Sequence, residues 1–288
     1  MCSMTAKLHI HESMWSTPDQ QSIYTRRWTP LQESVRAVIV LVHGLGEHCA
    51  RYDHVAAFFA EQGMATFGFD HRGHGRSDGK RGHIPSYERA MQDIDHFLEE
   101  ARRAYPNAPL FLYGHSMGGN MVLYYALARQ PQNLRGVICT SPGLAVGTPL
   151  SPALQAVARV LYMVAPSFTM PNGLNLSHLS HDPQVVEAYQ KDPLVTPMVS
   201  ARLGLEMMDK GKWILEHAED FPLPLLLLQG GAERIVSPDA VRAFARRVPP
   251  ERITYREWEH LYHELHNEPE KAEVLNTMLD WLNRQISS

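Results

Sequence analysis

With 288 residues, 44% hydrophobic and 20% charged, the chain is ordinary globular material, long enough for one large core or two small ones. A formal charge of −4 without any run of Lys or Arg gives no sign of a nucleic-acid-binding face. Cys2, Cys49 and Cys139 are few, odd in number and scattered, and no apolar stretch reaches signal-peptide or membrane-spanning length, so a soluble cytoplasmic protein without a disulfide framework is expected.

Residues 8–15 and 22–28 alternate apolar with polar around the turn-like Pro18-Asp19-Gln20-Gln21, which predicts an antiparallel hairpin. The period then changes. Residues 37–42 form a continuous apolar run rich in β-branched side chains, the pattern of a strand buried on both faces of a parallel sheet. Runs at 64–69, 109–113, 136–140, 223–228 and 253–258 repeat it, and helical patterns at 52–62, 86–104, 119–129, 238–247 and 269–285 fall between them. Such alternation predicts an α/β fold: a mostly parallel, doubly wound sheet of eight strands flanked by helices, with its chemistry at the strands' carboxyl ends.

The alternation breaks in one place. Between Pro142 and Phe221, prolines at 152, 166, 171, 183, 193 and 197 punctuate helical segments, and no strand-like run occurs. The expectation is a helical cap, residues 143–221, inserted into a core made of residues 1–142 and 222–288. Its first part carries Leu150, Leu154, Val157, Val160, Leu161, Met163 and Val164 mostly at helical spacings, with Arg159 its one charge. The simpler reading buries this stripe on the core. The alternative is a lid that lines an acyl-chain tunnel and shows an apolar outer surface to a membrane or lipid aggregate.

Gly114-His115-Ser116-Met117-Gly118 sits between the run at 109–113 and the helical pattern at 119–129. A G-x-S-x-G at a strand-to-helix turn is where a nucleophilic serine belongs, because the flanking turn has no room for side chains. Serine is a poor nucleophile at neutral pH and needs a histidine base, a carboxylate to orient it, and two N–H groups for the oxyanion. Met117 N–H follows the nucleophile at a helix start; Leu45 N–H, between Gly44 and Gly46 in His43-Gly-Leu-Gly-Glu-His48, is the second candidate donor. After the run at 223–228, Glu233 and Asp239 compete as the acid. Glu233 is preferred because Asp239 has the place of a helix-start carboxylate. Of His260, His263 and His266, His263 is preferred as the base, with its neighbours exposed or facing substrate. Their three-residue spacing lacks the H-E-x-x-H pattern, so no metal site is expected.

The stretches His43-Gly-Leu-Gly-Glu-His-Cys-Ala-Arg-Tyr52, Phe69-Asp-His-Arg-Gly-His-Gly-Arg-Ser-Asp-Gly79, Gly114-His-Ser-Met-Gly-Gly119 and His263-Glu-Leu-His-Asn-Glu268 together resemble the monoacylglycerol lipase and lysophospholipase family of α/β-hydrolases. The resemblance runs from about Ile10 to Leu282. It implies Ser116 as nucleophile, His263 as base, Leu45 and Met117 as the oxyanion hole, and Glu47, Arg51 and His266 as glycerol-binding residues. Glu47 and Arg51 equally form a structural ion pair on a plain reading of their charges. One departure stands out: the family's pattern carries aspartate at the acid, where this chain has Glu233. The implied activity is hydrolysis of monoacylglycerols to fatty acid and glycerol, without cofactor. A broader carboxylesterase or lysophospholipase is the alternative, and a non-catalytic lipid-binding member is the reading from another class.

Overall fold

In the computed structural model, which describes residues 8–32, 34–148 and 151–287, one eight-stranded sheet carries the chain. Its strands are β1 (Leu8–Ser16), β2 (Ser22–Pro30), β3 (Ala37–Val42), β4 (Met64–Phe69), β5 (Leu110–His115), β6 (Gly136–Thr140), β9 (Leu225–Gly230) and β10 (Ile253–Trp258). Between β6 and β9 come β7 (Thr169–Pro171) and β8 (Met198–Ser200), which pair only with each other. The order across the sheet is β1-β2-β4-β3-β5-β6-β9-β10. β1 pairs with β2 and β2 with β4 antiparallel, and the remaining neighbours in this sheet, β4 with β3 included, pair parallel.

Every residue of β3 is buried because successive side chains enter opposite layers. Val38, Val40 and Val42 pack with α2 (Tyr87–Ala104) and α3 (Met117–Arg129). Ala37, Ile39 and Leu41 pack with α1 (Asp53–Glu61) and α8 (Lys271–Ser287). Burying each such side chain contributes on the order of 2 kcal/mol, which fixes register and places all the β–α loops at one edge. The remaining helices are α4 (Pro152–Val164), α5 (Pro183–Lys191), α6 (Ala201–Glu216) and α7 (Pro238–Arg247). Among the described residues, no helix is long and apolar enough to cross a membrane. Cys2 and Leu150 lie outside the described residues; Cys49 and Cys139 are buried free thiols.

Two expectations about the insertion need correction. It does contain strand, because β7 and β8 pair antiparallel, Thr169 opposite Ser200. Three residues are too few for a period-two signal to register. The α4 stripe does not bury on the core either. Leu154, Val157, Val160, Met163 and Val164 are exposed, Met163 by 74%, while the partly buried face is Gln155, Ala158 and Leu161. The segment is docked elsewhere, over the β-strand tips. Thr196 N donates to Gly46 O at 2.8 Å, Ser200 N to Gly82 O at 2.8 Å, and His48 Nε2 lies 2.8 Å from Asp192 Oδ2.

Candidate active site

Ser116 occupies the turn from β5 into α3 with φ 55° and ψ −115°, a conformation costly for a residue with a side chain. Glycine is required on either side. A Cβ on Gly118 would lie 2.0 Å from Val42 O, and one on Gly114 2.3 Å from Gly118 O. The turn is held by Ser116 N donating to Thr140 O at 3.0 Å and by Ser116 O accepting from Asn120 N and Gly143 N, each at 2.9 Å. The hydroxyl thereby projects toward the loop after β10.

Ser116 Oγ lies 2.9 Å from His263 Nε2, and His263 Nδ1 lies 2.5 Å from Glu233 Oε2. A ring carrying its proton on Nδ1 donates to Glu233 and accepts from Ser116, the tautomer a base requires. Ser141 Oγ donates to His263 O at 2.9 Å and fixes the histidine backbone. Glu233, 5% exposed, is held by its other oxygen, which accepts from Arg234 N at 2.7 Å and Ile235 N at 2.6 Å. The longer glutamate side chain thus curls over its own loop and still reaches the ring. Burial works against a charged His263, but the Glu233 charge and hydrogen bond outweigh it and raise its pKa. Asp239 is elsewhere, 90% exposed in its side chain and paired with Arg242 at 2.7 Å.

Met117 is the first residue of α3, so its N–H lacks an intrahelical acceptor and sits at the positive end of the helix dipole. Leu45 lies between two anchored neighbours: Gly44 N donates to Glu47 Oε1 at 2.6 Å, and Gly46 O accepts from Thr196. Gly46 must be glycine at φ 79°, where a Cβ would lie 2.5 Å from Thr196 O.

Beside Ser116 is a cavity of about 180 Å³ walled mainly by Leu45, Val146, Leu174, Leu179, Val199, Met207, Met208 and Ile235. It adjoins a wider chamber of about 910 Å³ under α4, and Val146, Asn172, Leu174, Val199 and Met208 line both. Such apolar walls suit a hydrocarbon chain.

The three residues expected at a glycerol site are arranged differently. Glu47 lines the cavity, but its oxygens are engaged by Gly44 N, Tyr52 Oη and Arg51. Arg51 grips Glu264 with two nitrogens, both at 2.7 Å, and does not reach the cavity wall. His266 is fully buried and stacked on Tyr52 at 4.6 Å, which corrects its placement as exposed or substrate-facing. His260 points to the surface, 3.4 Å from Glu270, so the three histidines diverge, and the described residues hold no cluster of metal-ligand type. Sequence reasoning missed Glu264, Leu179, Tyr189 and Asn172. Adjacency to His263 was the available signal for Glu264; for Leu179, Tyr189 and Asn172 there was none.

Comparison with known proteins gives a consistent result. The Hydrolase_4 family model, described as Serine aminopeptidase, S33, matches residues 33–270. The chain is 36% identical to a monoacylglycerol lipase of Mycolicibacterium smegmatis, over 88% of this chain and 90% of that protein. It is also 36% identical, over 94% of its length, to an uncharacterized abhydrolase domain-containing protein of Dictyostelium discoideum, of which it spans only 29%. Among solved structures, the Paleococcus ferrophilus monoacylglycerol lipase is similar at TM-score 0.80 and 33% identity, covering 97% of this chain and 99% of that one.

Proposed function

The chain belongs to the Hydrolase_4 family of α/β-hydrolases, and from that premise we propose that it is a serine ester hydrolase cleaving monoacylglycerols to fatty acid and glycerol. The observation that carries this reading is the continuous line Ser116–His263–Glu233, at 2.9 and 2.5 Å, facing an apolar cavity. The acyl chain lies along the cavity and the ester carbonyl meets Ser116.

His263 takes the Ser116 proton as Oγ attacks the carbonyl carbon, and Glu233 keeps the ring oriented and stabilises its positive charge. Leu45 and Met117 N–H groups receive the oxyanion. Collapse of the tetrahedral species expels the glycerol alkoxide, which His263 protonates. Water, deprotonated by His263, then attacks the acyl-enzyme and frees the fatty acid.

Residues 1–142 and 222–288 supply this machinery, and 143–221 acts as a cap that covers it. The exposed apolar face of α4, extended by Phe168, rests on lipid surfaces from which substrate enters. The test is a panel of esters sharing one acyl chain: monoacylglycerol, diacylglycerol, lysophospholipid and methyl ester. Monoacylglycerol is expected to have the highest kcat/KM; preference for lysophospholipid, or equal turnover of all four, would contradict the proposed substrate.

A further inference from the structure

We propose that Glu47, Arg51 and Glu264 form a clamp that sets the oxyanion loop against the histidine loop, a positioning role. The proposal rests on the serine-hydrolase reading above, and its test separates the two.

Two loops far apart in the chain must be registered within a fraction of an ångström for this chemistry. One guanidinium joins them. Arg51 Nη1 donates to Glu47 Oε2 at 2.5 Å and to Glu264 Oε1 at 2.7 Å, and Nη2 donates to Glu264 Oε2 at 2.7 Å. On the oxyanion side, Glu47 Oε1 accepts Gly44 N–H at 2.6 Å and Tyr52 Oη–H at 2.7 Å. Gly44 immediately precedes Leu45, so this bond anchors the peptide just before the one whose N–H would meet the oxyanion, and His43 Nδ1, 2.8 Å from Gly44 O, holds that next peptide by its carbonyl. On the other side, Glu264 directly follows His263. Its own N–H donates to Leu179 O at 2.8 Å, and Oε2 also accepts from Asn267 Nδ2 at 2.7 Å.

The valences are nearly consumed. Glu47 Oε1 already takes two donors, and Arg51 lies over the Tyr189 ring at 4.6 Å with its Nη1 divided between two carboxylates. Side-chain exposures of 10% for Arg51, 4% for Glu47 and 3% for Glu264 keep the network largely out of water. Burial pushes Glu47 up, and Arg51 offsets this only in part because Glu264 repels it; Glu264, held by both guanidinium nitrogens, is kept below the usual carboxylate range despite burial. A buried triad of this kind is poor as a source of stability but well suited to fixing geometry.

Glu47→Gln keeps size and leaves Arg51 paired with Glu264, but one face of its amide must meet a donor. Two readouts on the full-length chain separate the roles. The first is hydrolysis of a monoacylglycerol and of the methyl ester of the same fatty acid, which lacks glycerol. The second is the rate at which a long-chain alkyl fluorophosphonate modifies Ser116, which needs the oxyanion hole and no alcohol. A clamp lowers kcat on both esters, and the phosphonylation rate, by about 10- to 100-fold with KM unchanged. A raised KM confined to the monoacylglycerol, with methyl ester turnover and phosphonylation unaffected, overturns it. Wild-type protein inert on both esters would sink the substrate reading, while slower phosphonylation of the variant would still support the clamp. If circular dichroism shows Glu47→Gln unfolded, Arg51→Lys is the variant to read. It keeps the charge but loses the fork, so the same parallel loss is expected, and undiminished phosphonylation refutes the clamp.

Discussion

Glu233→Asp removes one methylene from the side chain that orients His263, and the structure sets how far the shorter group would fall short. Withdrawing the carboxylate by about 1.5 Å stretches the 2.5 Å contact to His263 Nδ1 to roughly 4 Å, beyond hydrogen-bonding range. The loop has little freedom to follow. A Cβ on Gly230 would lie 2.4 Å from Leu261 O and from Tyr262 O, Gly147 N donates to Ile235 O at 2.9 Å, and Ser237 N donates to Ala145 O at 2.9 Å. A hydrogen bond to a charged group is worth about 1.5–3 kcal/mol, so kcat/KM should fall by about 10- to 150-fold. The pH profile adds a second signature. As the proposed base His263 must be neutral, and since Glu233 raises its pKa, the acid limb of the wild type should lie above the ordinary histidine value of about 6.5. In the variant that limb moves to lower pH. Kinetics on a monoacylglycerol from pH 5 to 9 measure both. Undiminished kcat/KM with an unmoved acid limb would refute the reasoning, because the loop would then have yielded to restore the contact.

Acid should unfold the protein early. His43, His71, His74, His115 and His266 are buried with lowered pKa, burial disfavouring the charged ring, His71 to about 3 and His74 to about 4. Because the unfolded chain takes protons near pH 6.5 that the folded one refuses, stability is full above that pH and falls as pH drops toward 4. At pH 5 the loss is about 2 kcal/mol each for His71 and His74, and the other three histidines add to it in the same direction. Urea denaturation at pH 7 and pH 5 measures it, and equal midpoints would contradict the buried-neutral assignment. Gly118→Ala forces a Cβ to 2.0 Å from Val42 O and should lower the urea midpoint by the equivalent of about 3 kcal/mol; an unchanged midpoint would mean that the elbow is not packed as described. Replacing Val160, Met163 and Val164 with serine should cut co-sedimentation with phospholipid vesicles several-fold and leave hydrolysis of a soluble short-chain p-nitrophenyl ester intact. Equal pelleting of variant and wild type would remove α4 from the membrane proposal.

The sheet was legible because its central strands are apolar on both faces and separated by helices: the bounds read for β3, β4 and β6 coincide with those observed, as do those of the edge strand β10, whose burial alternates. The elbow was legible for a local reason, since Gly114 and Gly118 are needed by contacts within a few residues or with the neighbouring strand. Choosing Glu233 over Asp239 also rested on local position. What the sequence withheld is long-range. Arg51 meets Glu264 across 213 positions and Thr196 N meets Gly46 O from a distant segment of the chain, and neither partner carries a pattern pointing to the other. The α4 stripe misled because helical periodicity reports that one face is apolar, not that anything covers it.

The most direct test of the account is glycerol release from a long-chain monoacylglycerol by the wild type and by Ser116→Ala, Glu233→Ala and Asp239→Ala, with diacylglycerol as comparison substrate. The Ser116–His263–Glu233 assignment predicts turnover by the wild type, none by Ser116→Ala, a fall of about 10³-fold or more in Glu233→Ala and no more than about twofold change in Asp239→Ala, with diacylglycerol the poorer substrate. Full activity in Ser116→Ala, or loss in Asp239→Ala with Glu233→Ala spared, would contradict it.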